Sequence, residues 1–154
     1  MLNEGLMTQK WFCRAPAVFI MKKFELWDFF SGQRMNQKPN IIVDRTFAFA
    51  INIAKLYKKL KQEKEFQIGN QLFRSAGSIG ANVQEAQAAQ SKRDFISKMS
   101  IACKEARETA YWLKVIKEAE LIDINLDILI KEIDEIISIL SKIIKTSSET
   151  LNTK

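Results

Sequence analysis

Between Phe95 and Ile116, the residues Phe95, Met99, Ala102, Ala106, Thr109, Leu113 and Ile116 recur at alternating steps of four and three. That spacing lays side chains along one seam of an α-helix packed against other helices. A strand, with its period of two, would scatter the same positions over both faces. Ile96, Cys103 and Ala110 widen the stripe. The rule returns near the C-terminus, where Leu126, Leu129, Ile130, Ile133, Ile136, Ile137, Leu140, Ile143 and Ile144 form one Ile/Leu face. Isoleucine runs alone would suit strands, but Lys, Glu and Asp fall between them at helical spacing. Only five glycines and two prolines interrupt 154 residues, so long helices meet few breaks.

Two further helices precede this pair. The first is expected from about Arg45 to Lys61 with Asp44 as its N-cap. Phe47, Ile51 and Ala54 form one stripe, and Phe49, Ile53, Leu56 and Leu60 a second beside it, giving a broad buried face. The second is expected from about Phe66 to Ala89, with Leu72, Ala76, Ile79, Val83 and Ala86 inward. Gly77, Gly80 and Ala81 leave part of it nearly bare. Each helical glycine costs roughly 0.8–1 kcal/mol relative to alanine, so a neighbouring helix of the same fold is expected close to this backbone. Ser91 with Asp94 three positions on reads as a capping-box-like start. Asp123 or Asn125 is placed to cap the last helix, and the polar tail from Thr146 is expected to fray. Four amphipathic helices with short links specify an all-α, up-and-down antiparallel four-helix bundle.

Residues 1–34 differ from the rest. Trp11, Phe12, Phe19, Phe24, Trp27, Phe29 and Phe30 crowd into a stretch broken by Arg14, Pro16, Lys22, Lys23, Glu25 and Asp28. A membrane-spanning helix needs about 20 nearly uncharged residues, so this is not one, and it lacks the plan of a signal peptide. Three readings stand: an upstream extension with Met35 as the true start, an added segment packed on the bundle, or an interfacial anchor. The first is favoured, with residues 35–154 forming the bundle domain.

Histidine is absent. That removes His-based metal sites, Ser-His and Cys-His nucleophile pairs, and the Glu-x-x-His motifs of ferritin-like bundles. Cys13 and Cys103 are too far apart for a Cys-x-x-Cys motif, and the pair suits a reducing cytoplasm; Cys103 reads as a small buried side chain. No cofactor, metal or membrane partner is expected, and no enzyme.

The net charge of +6 permits a nucleic-acid partner without requiring one. Lys58, Lys59, Lys61, Lys92, Arg93 and Lys98 are the candidate phosphate contacts; for those closing the first helix, capping of its dipole is the plainer account. In antiparallel packing the end of the first helix and the start of the third lie at opposite ends of the bundle. A basic surface must therefore be a side stripe or be assembled by oligomerisation. Arg74, Asn82, Glu85, Glu105 and Glu108 are expected to form a structural polar network between the second and third helices, with Arg74 partly buried. Tyr111 and Trp112 are assigned to an oligomer interface in preference to base stacking.

The segments Phe73-Arg-Ser-Ala-Gly-Ser-Ile-Gly-Ala-Asn-Val-Gln-Glu85, Lys92-Arg-Asp-Phe-Ile96 and Ile101-Ala-Cys-Lys-Glu-Ala-Arg-Glu-Thr-Ala-Tyr-Trp-Leu113 resemble the bacterial four-helix bundle proteins named after 23S ribosomal-RNA intervening sequences. The similarity runs from about Ile42 to Ile144; Ala86 stands where that family often has glycine. The resemblance implies an up-and-down bundle assembling as a ring-like homopentamer. It also implies kinship with the accessory variability determinant proteins of diversity-generating retroelements, basic pentamers that bind nucleic acid and a reverse transcriptase. It carries over no catalytic residues. The sequence thus favours a homo-oligomeric bundle binding RNA or DNA, with a protein-interaction scaffold as the alternative.

Overall fold

The computed structural model describes residues 40–152. The expected extension over residues 1–34, the preference for Met35, and Cys13 lie outside them. The described chain forms four helices, α1 (Ile41–Gln62), α2 (Phe66–Gln87), α3 (Lys92–Glu118) and α4 (Asp127–Asn152), each packed on the next, with a thinner α4–α1 seam closing the bundle. Side-chain pairs fix the antiparallel register. Asn40 meets Gln87 at one end of α1–α2, and Tyr57 meets Asn70 near the other. On α2–α3, Glu85 pairs with Lys98, Ser75 with Thr109, and Arg74 with Glu108. Along α3–α4, Lys92 meets Thr150, Cys103 lies 3.7 Å from Ser141, and Lys117 pairs with Asp127 at 2.7 Å.

Each stripe buries as a row. Phe49, Ile53 and Leu60 of α1, Leu72 and Ile79 of α2, Met99, Leu113 and Ile116 of α3, and Ile133, Ile136 and Leu140 of α4 are essentially solvent-free. Fully burying such a side chain is worth roughly 1.5–3 kcal/mol, which makes this core the dominant favourable term. Cys103 is buried against it. Of the two stripes expected on α1, the one through Phe47 and Ile51 does not bury: they are 46% and 43% exposed. They sit near the opposite side of the helix from Phe49 and Ile53, and α2 and α4 already cover the core face.

The helix ends also correct expectations. Asp44 is not the N-cap; α1 begins at Ile41, Asp44 lies in its first turn, and Asn40 holds the cap position without a side-chain cap bond. Ser91 does cap α3, its Oγ accepting from the Asp94 amide at 3.2 Å. Before α4 the cap position falls to Leu126, and Asn125 beside it makes a turn, its Oδ1 accepting from the Asp127 amide at 2.8 Å. The tail from Thr146 stays helical to Asn152, where Lys92 Nζ donates to Thr150 and ties it to the start of α3. Two helices stop without a glycine. Lys64 and Glu120 take left-handed φ values of 65° and 50°. In each case the next amide bonds back to a carbonyl in the last turn, Glu65 to Leu60 at 2.9 Å and Leu121 to Ile116 at 3.2 Å, closing a Schellman turn.

The glycines behave unlike their expectation. A Cβ on Gly77 would meet nothing within 4 Å, and one on Gly80 would come only to 3.9 Å from the Thr46 carbonyl. The close approach is at Gly69, where a Cβ would sit 3.2 Å from the Tyr57 ring. That ring is held by stacking on Phe73 at 4.9 Å and by a 2.7 Å bond from its hydroxyl to Asn70. Gly77→Ala should therefore stabilise the bundle by about 0.5–1 kcal/mol through helix propensity alone. Gly69→Ala should lose that gain by crowding Tyr57. Urea midpoints read the contrast, and equal gains at both sites would contradict it.

The α4–α1 seam carries a 2.6 Å ion pair between Arg45 and Glu135. The hydrogen bond from Arg45, and then its charge, hold the Glu135 carboxyl below the ordinary 4.5. A carboxylate with a lowered folded value contributes stability above its unfolded value and loses it as pH falls through the folded one. Glu135→Gln should therefore melt slightly below wild type at neutral pH and merge with it in acid well under 4.5. A gap that persists in acid would contradict the assignment.

Candidate nucleic-acid interface

The six cations singled out from the sequence do not form one surface. Lys58, Lys59 and Lys61 close α1, whereas Lys92, Arg93 and Lys98 open α3 at the other end. At 1.5 Å per residue the two groups are about 30 Å apart along the bundle. Several are also occupied. Lys61 lies 5.5 Å from the Tyr57 ring centroid, Lys92 bonds Thr150, and Lys98 pairs with Glu85 at 2.5 Å. The hydrogen bond and charge of Glu85 raise the Lys98 pKa.

The expected polar network is two separate contacts. Arg74 does lie opposite Glu108, at 4.0 Å, but its side chain is 73% exposed, so it is a surface pair and not a buried one. Glu85 turns to Lys98, Asn82 donates to the Ser78 carbonyl of its own helix, and Glu105 contributes its carbonyl to Thr109. The polar link inside the α2–α3 seam is instead Ser75–Thr109, with their hydroxyl oxygens 2.9 Å apart and both residues fully buried. Each hydroxyl also reaches a carbonyl, Leu72 at 3.2 Å and Glu105 at 2.9 Å. The two protons thereby satisfy a pair that would otherwise be costly to bury. Thr109 was legible as a seam position but not as a polar one.

The side of the bundle holds a more continuous feature. On α3, Lys104, Arg107, Tyr111 and Lys114 follow one another at steps of three, four and three, all exposed. Arg107 and Lys114 flank the α4 seam marked by Cys103. On α4, Lys131, Ser138, Lys142 and Lys145 follow at seven, four and three on the same side of Ser141, and their three lysines are exposed. In the register set by Cys103–Ser141 and Lys117–Asp127, these six cations line one α3–α4 stripe about 20 Å long. None of the six has an ion pair among the described residues. Asp134 lies among them, Glu135 feels the charge of Lys131, and Glu149 follows Lys145 by four; the stripe stops where Glu118, Glu120 and Asp123 make the α3–α4 junction acidic. The signal in the sequence was the core's own step of three and four, displaced by one residue from Cys103 to Lys104.

Tyr111 and Trp112 diverge. Tyr111 is 59% exposed within the stripe, whereas Trp112 is half-buried and its Nε1 donates to Glu108 at 3.3 Å. Their rings meet edge to face with centroids 5.1 Å apart. Among the described residues no His/Cys/Asp/Glu group could hold a metal ion, and no helix is long and apolar enough to cross a membrane.

The fold and this exterior define a small all-α bundle protein with a basic flank. Residues 38–142 match the family model described as 23S rRNA-intervening sequence protein, and the chain belongs to that family. A crystal structure from Bacteroides thetaiotaomicron, described as a protein of unknown function from the S23 ribosomal protein family, is similar. It is 43% identical, covers 68% of this chain and 98% of its own, and superposes with a TM-score of 0.65. No curated protein matches.

Proposed function

We propose that this chain is a non-enzymatic, homo-oligomeric bundle that binds RNA or DNA through the α3–α4 stripe. The observation that carries the reading is the row of six exposed cations along one flank, bordered by Asp134, Glu135 and Glu149. Six of the seventeen lysines and arginines of residues 40–152 line this flank at helical spacing, a repeat that a strand of phosphates can follow. Phosphate binding releases counterions from the nucleic acid, so such a flank gives affinity without needing a pocket. The resemblance to accessory variability determinant proteins points the same way. Lys58, Lys59 and Arg93 remain available as outlying contacts at the bundle ends.

Oligomerisation is supported by the α1–α2 face. Phe73 is 45% exposed there, on the helix that also carries the open backbone of Gly77 and the exposed Ala81, and Ile51 is 43% exposed on the outward side of α1. Apolar and small residues left outward on one side suit contact with a second copy.

Fluorescence anisotropy with a labelled oligonucleotide tests the binding. Affinity for a single strand should fall with salt at a log–log slope of about −4 if all six cations meet phosphates, from about −0.7 per contact. Combined Lys104→Glu, Arg107→Glu and Lys142→Glu changes should abolish it, whereas Lys58→Glu with Lys59→Glu should weaken it only modestly. Salt-independent binding, or no binding, would contradict the reading. Sedimentation tests the assembly, and a monomer of 17.8 kDa would remove that half.

A further inference from the structure

We propose that Tyr111 is a stacking platform for the bases of a single-stranded nucleic acid whose phosphates track the α3–α4 cations; this rests on the binding reading above. Three observations carry it. The ring is 59% exposed in the middle of the stripe, one turn after Arg107 and three residues before Lys114. Its hydroxyl makes no hydrogen bond among the described residues, so the ring's surface is what it offers. And the ring is held in place. Trp112 packs against it at 71° between planes, and Trp112 is itself anchored by the bond from its Nε1 to Glu108. Such an edge-to-face pair is worth about 0.5–1.5 kcal/mol beyond area, enough to restrain an exposed aromatic before ligand arrives.

The surroundings decide between occupants. A second copy docking two-fold on this face would set lysine against lysine, and a ring neighbour would have to bring an acidic surface to it, which the mass measurement below tests. A duplex offers phosphates but keeps its base faces stacked inside. A single strand offers both, a phosphate and an open π-face with every nucleotide. An aromatic flanked by cations at about one per helical turn matches that repeating pair of groups.

The test compares wild type, Tyr111→Ala, Tyr111→Phe and Lys104→Glu with Arg107→Glu, on labelled oligouridylate, labelled oligothymidylate and a duplex. Circular dichroism melting and light scattering accompany each variant. Tyr111→Ala should weaken single-strand binding on the order of ten-fold with the salt slope unchanged, and leave duplex binding alone. Tyr111→Phe should keep wild-type affinity. The loss should appear on the ribose strand, the deoxyribose strand or both, and a larger loss on one names the strand the site is shaped for. Wild-type affinity in Tyr111→Ala while the charge reversals abolish binding would overturn the stacking role and leave the stripe standing. A changed oligomeric mass in Tyr111→Ala would overturn it in favour of an interface. No binding by wild type to any of the three would remove the binding reading and this inference together.

Discussion

Each helix buries one apolar stripe along its whole length, and the four stripes close on a single core. The seam residues from Met99 to Ile116 touch α2 on one side and α4 on the other, so α3 is committed on two flanks. Everything outward is then set by rotation about each helix axis. A residue one position from a buried one points about 100° away, which is why Cys103 is inside and Lys104 outside.

The second consequence is connectivity. Up-and-down helices alternate direction, so clusters adjacent in function on paper fall at opposite ends in space. Lys59 and Arg93 illustrate this. What stays contiguous is whatever repeats at helical spacing along two neighbouring helices, and the α3–α4 flank is where cations do so. The ends are instead occupied by local pairs, Lys98 with Glu85 and Lys117 with Asp127, whose hydrogen bonds raise both lysine pKa values. Those pairs are exposed and serve register more than stability.

Much of the fold was legible because burial at a period of 3.6 writes itself into the sequence. Thr109, Leu113 and Ile116 were placed in the seam by spacing alone, and Ser91 was found as a cap from its own chemistry. The failures have a common cause. Phe47 and Ile51 are apolar and correctly spaced, but no pattern within one helix tells which of two apolar faces its neighbours cover. Asp44 looked like a cap because Asn40 makes no side-chain cap bond to mark the real start. Lys64 and Glu120 end helices in a left-handed conformation that usually announces itself with glycine. At the candidate site, Arg74 was correctly set opposite Glu108, yet its exposure depends on side-chain direction, and the link between Ser75 and Thr109 depends on two helices at once. The sequence left a side stripe and assembly by oligomerisation both open for a basic surface, and the residues of the α3–α4 flank needed the register of one helix against the other.

The proposed binding places nucleic acid along α3 and α4, not at the bundle ends. Lysine-selective acylation of the native protein, with and without bound oligonucleotide and read by peptide mass spectrometry, measures that placement directly. Lys104, Lys114, Lys131, Lys142 and Lys145 should be protected together, and far more strongly than Lys58 and Lys59. Protection confined to Lys58, Lys59 and Lys92, with the flank as reactive as in the free protein, would contradict it.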